Sequence, residues 1–233
     1  MIPGLSGSLL SHDALSGALM QIRHGSPVSN YRWFHTWHRQ IVRDMGPSST
    51  ARHVYDRVAV PLVSALGLSL TPAALPDSAD GIHSLLSKEG TPVAMSVTTA
   101  WGRDPASTWR EAVRAAIGRG LKWSVVVNGP AVRIFDATHT YSRRFVQFDL
   151  EITAHDRTAL DFFCALLGAD GFSGGETALD RARTFPNTIE RPFARRCNRV
   201  STMRSSPCCA RSPPPVERRR MRRRTGSSKN HWW

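Results

Sequence analysis

Hydrophobic residues recur at helical spacing in the first third of the chain. Residues 8–23 carry leucines and an isoleucine at intervals typical of a short helix. Residues 31–45 follow Asn30, a candidate N-cap, and their apolar positions fall on one helix face: Trp33, Phe34, Trp37 and Ile41. The two tryptophans in that stripe could stack on a base, but packing in a core is the favoured interpretation.

A third helix is predicted between residues 48 and 67. Ser48 and Ser49 are candidate caps, and Gly67 is a natural end for the helix. Pro61 interrupts the apolar stripe, so the helix should be kinked there or split in two. The pattern therefore predicts an N-terminal helical segment over residues 1–67.

The next stretches switch between strand and helix patterns. Residues 68–90 contain two prolines and two glycines and are expected to be irregular. Asp104 followed by Pro105 predicts a helix start, and Asn128–Gly129 predicts a hairpin turn. The predicted strands are 93–100, 122–127, 132–136 and 143–151, and a last helix is predicted over about 155–168.

The order of these elements predicts an α/β fold. A strand, a helix and a second strand with a buried pattern indicate a parallel crossover, and the later hairpins add antiparallel strands. We therefore expect a mixed sheet with flanking helices over residues 68–180, forming one folded unit with residues 1–67.

Charge separates the last part of the chain from the rest. Residues 1–180 contain 16 Lys+Arg and 16 Asp+Glu, whereas residues 181–233 contain 15 basic residues and only Glu190 and Glu217 as acids. This tail has no helical or strand periodicity, and it places six arginines within residues 218–224. Such a composition predicts a disordered, Arg/Pro-rich tail.

Composition narrows the cellular setting and the chemistry. No run of about 18 apolar residues is present, so a membrane span is not predicted. The four cysteines lack zinc-ligand spacing, and Cys164 lies in an apolar helical pattern typical of a buried thiol. We expect a cytoplasmic, metal-free bacterial protein.

Three stretches resemble one known group of proteins. They read ARHVYDRVAVPLVSALG, then DPASTWREAVRAAIGRGLKWSVVVNGPAVRIFDATHTYSRRFVQFDLE, then DRTALDFFCALLGAD. In this order they resemble the N-terminal, nuclease-like region of type IIG-like bacterial restriction-modification polypeptides, which carry a fused adenine-N6 DNA methyltransferase. The resemblance covers roughly residues 30–180. The methyltransferase motifs are missing, because no Asn-Pro-Pro-Tyr sequence and no glycine-rich cofactor motif occurs.

The resemblance implies a nuclease-like fold of the PD-(D/E)XK type. Such sites place an Asp and an acidic-x-Lys pair on neighbouring strands, where the carboxylates hold Mg²⁺. Pro76-Asp77 is present, with Asp80 nearby, but residues 94–100 contain neither an acid nor a lysine. The nuclease-like fold is thus expected to be degenerate and without catalytic activity. Turn chemistry beside Pro76 is the favoured account of both aspartates.

The candidate DNA contacts are basic and aromatic residues of the strand region. Phosphate contacts need positive side chains on a rigid frame. The candidates are Lys122, Arg133, Tyr141, Arg143 and Arg144. The competing interpretation of these residues is the solvated face of a half-exposed sheet.

Two explanations of the tail stay open. Charge balance and periodicity are lost at the same point, as a frameshift would cause, which predicts a truncated, non-catalytic fragment of a restriction-modification protein with weak DNA binding. Alternatively, the tail is a basic arm that binds DNA or RNA phosphates by counterion release. For the chain as a whole, a further hypothesis is a divergent Mg²⁺-dependent endonuclease that uses Asp77 or Asp80.

Overall fold

Seven strands form one mixed sheet in the computed structural model, which describes residues 2–10, 30–73, 81–138, 143–169, 171–172 and 177–180. Along the sheet the order is β1-β7-β6-β5-β4-β3-β2, and only β4 and β5 pair in parallel. The strands are β1 (Leu5–Gly7), β2 (Ser69–Pro72), β3 (Ile82–Lys88), β4 (Thr91–Thr98), β5 (Trp123–Val127), β6 (Ala131–Asp136) and β7 (Phe145–Asp149). The expected α/β class with a mixed sheet is confirmed.

Helices cover both faces of this sheet. One face packs on α3 through a small cluster that includes Ala112, Val113 and Ala116. The other face carries the larger cluster, to which Phe34, Val58 and Phe163 of three further helices contribute. The helices are α1 (Asn30–Asp44), α2 (Ala51–Val54, then π-helical Tyr55–Ala59, then Val60–Ala65), α3 (Pro105–Ile117), α4 (Leu150–His155) and α5 (Arg157–Leu167).

The predicted crossover joins the two parallel strands. The Asp104 carboxylate accepts a hydrogen bond from the Ala106 N–H at 2.9 Å, which caps α3 directly after β4. Helix α3 ends at Ile117, and β5 then runs alongside β4 with Val97 opposite Val126. The strand-helix-strand pattern thus fixes the centre of the sheet.

The expectation that residues 68–90 are irregular is wrong for the part that is described. Residues 69–72 and 82–88 form β2 and β3, and β3 pairs with β4 through a hairpin at Glu89–Gly90. Both turn residues have positive φ, 48° and 83°, the combination that a tight hairpin requires. Polar residues at buried positions of β3 hide its strand pattern in the sequence.

The third helix is capped one residue later than predicted. Thr50, not Ser48 or Ser49, is the N-cap, and its side chain accepts from the His53 N–H at 3.4 Å. The predicted interruption at Pro61 is present as the π-helical turn just before it, where the Val60 N–H bonds to the Tyr55 carbonyl. Since Pro61 lacks an N–H and crowds the preceding turn, a widened turn accommodates its ring.

The last predicted strand is shorter than expected because a helix begins inside it. Strand β7 ends at Asp149, whose carboxylate accepts from the Ile152 N–H at 3.0 Å and so starts α4. Asp156 caps α5 in the same way by accepting from the Ala159 N–H at 2.8 Å. The edge strand β1 was not predicted, and the predicted helix over 8–23 lies outside the described residues beyond residue 10. The predicted tail over 181–233 also lies outside them.

Candidate nucleic-acid interface

Trp109 and two guanidinium groups form a surface cluster on the α3 side of the sheet. The guanidinium of Arg143, just before β7, lies 5.2 Å from the Trp109 ring centroid, and that of Arg110 lies 5.6 Å away. Arg110 and Arg143 are exposed, whereas Trp109 is half-buried and packs on the α3 cluster. Two exposed cations, one from α3 and one from the start of β7, therefore lie beside a single indole ring.

Arg133 lies beside this cluster but is held by packing. Its Nε donates to the Gln147 side-chain oxygen at 2.7 Å, and its guanidinium lies 4.3 Å from the Phe145 ring centroid. Asp104 is 3.9 Å away, and only 12% of the Arg133 side chain is exposed. Burial lowers the pKa of Arg133, although the group stays a cation. Its hydrogen bond to β7 and its ion pair with the start of α3 leave fewer of its N–H groups available to contact a nucleic acid.

The other predicted contacts are distributed more widely. Lys122 lies 3.6 Å from the buried Asp180 carboxylate, which also accepts from Thr177. Arg144 is exposed, and its carbonyl accepts from the Asp136 N–H at 3.2 Å. Tyr141 lies outside the described residues, as do Asp77 and Asp80. Of the predicted set, Arg143 is the member that the structure brings together with an aromatic ring and a second exposed arginine.

The expected nuclease-like site would need acids on neighbouring strands, and β3 and β4 are such a pair. Their sequences, IHSLLSK and TPVAMSVT, contain none, and Ser84 lies opposite Ser96 in the register. Both serines are buried, and Mg²⁺ sites are built largely from carboxylates and water. The residues of these strands therefore do not fit a magnesium centre.

A buried histidine contacts a half-exposed glutamate, a pairing that the sequence did not indicate. His83 of β3 places its Nε2 3.1 Å from a carboxylate oxygen of Glu111 on α3. Its Nδ1 is buried without a hydrogen-bond partner among the described residues, and the Ser84 and Thr98 hydroxyls are in the same situation. Only the pairing of β3 with β4 beneath α3 brings the two side chains together, so sequence spacing gives no sign of it.

Three further histidines meet where α1 packs on α4. The ring of His155 lies edge-on to those of His35 and His38, with centroids 5.5 and 6.2 Å apart. Burial lowers the pKa of His38, and the neighbouring His155 lowers it further. Nevertheless, no set of three or more His, Cys, Asp or Glu side chains within the described ranges is placed to hold a metal ion.

Comparisons with known proteins do not add an assignment. No protein-family model matches this chain, and neither a curated protein nor a solved structure is detectably similar to it. None of the helices in the described ranges is both long and apolar enough to cross a membrane.

Proposed function

We propose that this chain is a non-catalytic nucleic-acid-binding module, a degenerate relative of the nuclease-like region of restriction-modification polypeptides. The observation that carries the proposal is the cluster formed by Trp109, Arg110 and Arg143. Two exposed guanidiniums held on one indole can contact neighbouring phosphates of a nucleic-acid backbone.

The element order supports the nuclease-like part of the proposal. An antiparallel β2-β3-β4 sheet followed by α3 and the parallel β5 provides neighbouring strands of the kind on which a PD-(D/E)XK site is built. Ser84 and Ser96 on those strands support a site that has lost its acids. We therefore expect DNA binding without cleavage.

The binding test uses the full chain and a short, fluorescently labelled DNA duplex. Replacing Arg110 and Arg143 by Gln should weaken binding about fivefold to tenfold, on the order of 1 kcal/mol for two exposed phosphate contacts. The matched control replaces Arg32 and Arg39 by Gln, because these exposed arginines lie on α1, on the opposite face of the sheet. The control should bind as the wild type does.

A plasmid-nicking assay with Mg²⁺ or Mn²⁺ examines the catalytic alternative. We expect no nicking by the wild-type chain. Nicking that disappears in Asp77→Ala would show a working nuclease and would overturn the non-catalytic assignment, whatever the binding data show.

A further inference from the structure

A pocket of about 510 Å³ lies between α1 and α2, on the sheet face opposite the Trp109 cluster. Its size is typical of sites for small organic ligands. The wall combines the apolar side chains of Ile41, Met45 and Pro61 with polar groups. The proposed nucleic-acid contacts on α3 do not use this pocket.

Two stacked tryptophans form the aromatic wall of the pocket. Trp33 and Trp37 have centroids 5.3 Å apart and planes inclined by 14°. Trp37 is buried in the core, whereas Trp33 is 37% exposed and lines the pocket. An exposed indole backed by a second indole offers a rigid surface on which a flat ring can stack.

Two carboxylates line the pocket. Asp44 ends α1 and Asp56 lies in the π-helical turn of α2. Each accepts one hydrogen bond of 2.9 Å from an arginine of its own helix, through Oδ1 in Asp44 and Oδ2 in Asp56. The bond from Arg43 lowers the pKa of Asp44, which keeps that group anionic. Because a carboxylate has about four acceptor positions, both can accept further N–H groups.

Charge in and beside the pocket is nearly balanced. Arg57 lines the pocket together with Asp44 and Asp56, and Arg43 and Arg52 each lie 2.9 Å from one of those carboxylates. Net charge therefore does not select the ligand, whereas the carboxylate oxygens that these arginines leave unused favour a ligand that donates hydrogen bonds.

We propose that this pocket binds a flat heteroaromatic ring that carries amino groups or a protonated ring nitrogen. The ring stacks on Trp33, and its N–H groups donate to Asp44 and Asp56. Stacking and N–H donation recognise this ligand, without phosphate contacts, which separates the site from the proposed phosphate-binding surface on the other face of the sheet.

The test is isothermal titration calorimetry of the nuclease-treated full chain with 9-aminoacridine, a flat aromatic cation. Acridine, which has the same three rings and no amino group, is the probe of matched shape. We expect 1:1 binding of 9-aminoacridine and about tenfold weaker binding of acridine, because acridine lacks the amino N–H groups that donate to the carboxylates. Trp33→Leu and Asp56→Asn should each weaken cation binding about fivefold or more, as expected for loss of a stacking or charged partner.

Asp161→Asn is the control, because this half-exposed carboxylate lies on α5 and does not line the pocket. It should bind the cation as the wild type does. Equal affinity for the two probes, no binding of the cation, or unchanged binding in Asp56→Asn would overturn the proposal. Thermal unfolding shows whether Trp33→Leu keeps the wild-type fold. If it does not, the binding measured for Asp56→Asn decides whether the proposal stands. Arg110→Gln/Arg143→Gln should leave cation binding unchanged, which keeps this result separate from that of the α3 surface.

Discussion

Arg133 and Arg143 show how two arginines close together in the fold can have different roles. Both lie near β7, and both guanidiniums approach an aromatic ring. Arg133 is nearly buried, donates a hydrogen bond to Gln147 and forms an ion pair with Asp104, whereas Arg143 is exposed. A substitution of Arg133 would therefore change the stability of the fold as well as any binding. Arg143 is the better residue on which to test the interface.

His38 should make stability depend on pH. Its pKa in the folded chain is lowered, first by burial and then by His155, although Glu151 and Asp149 oppose this and His35 adds to it. The unfolded chain then binds the proton more readily, so the contribution is complete above the unfolded pKa of about 6.5 and declines as pH falls below it.

Urea unfolding between about pH 7.5 and about pH 5.5 measures this effect, which cannot exceed about 1.4 kcal/mol per pH unit for one group. His38→Gln should flatten the dependence. His53→Gln, an exposed histidine on α2, should retain it. A slope that is unchanged in His38→Gln would contradict this explanation.

Gly129 should be far less replaceable than Gly102. Both have positive φ, +93° and +69°, but a Cβ on Gly129 would overlap the Trp101 ring, whereas a Cβ on Gly102 would meet nothing within 4 Å. Gly102→Ala should cost about 1 kcal/mol from backbone strain alone, and Gly129→Ala an additional 1–3 kcal/mol or so from overpacking. Equal losses in chemical denaturation would show that Trp101 moves away freely.

At the scale of elements, sequence patterns predicted the middle of the sheet and missed its edges. Strands β4, β5 and β6 are apolar and β-branched, and α3 has a clear cap, so each was predicted within two residues. Strand β3 places His83, Ser84 and Ser87 at buried positions, so its hydropathy does not alternate. The short strands β1 and β2 are set by pairing with distant strands, which no local pattern records.

The candidate site was predicted in part for the same reason. Arg143 could be selected because it precedes a recognisable strand. Trp109 and Arg110 were not selected, since only the packing of α3 against the start of β7 brings them to Arg143. The pairing of Lys122 with Asp180 is likewise a long-range contact.

Aspartate caps make α3 a useful element for a stability test. Asp104→Ala should lower the free energy of unfolding by about 1 kcal/mol, because the Ala106 N–H loses its acceptor at the helix start. Asp104→Asn keeps a capping oxygen and should stay close to wild type in urea denaturation. If Asn were as damaging as Ala, the exposed charge near Arg133 rather than the cap would be the cause.

At the scale of the whole molecule, the two faces of the sheet are assigned different roles. The α3 face presents exposed arginines around Trp109, and the α1–α2 face presents a pocket lined by tryptophans and carboxylates. The arginines of residues 218–224 are a second source of positive charge, and they would strengthen binding to any nucleic acid. The central claim is therefore that the folded unit itself contacts phosphates, in addition to what the tail contributes.

The salt dependence of DNA binding tests this claim most directly. Each lost phosphate contact reduces the slope of log K against log salt concentration by about 0.9. Three full-length proteins are compared: the wild type, Arg110→Gln/Arg143→Gln, and a chain with the arginines of residues 218–224 replaced by Gln. We predict that the Arg110/Arg143 variant has a slope shallower by roughly 2, with a further and separate reduction from the tail substitutions. A slope that is identical to wild type in the Arg110/Arg143 variant, with the whole reduction coming from the tail, would contradict the account.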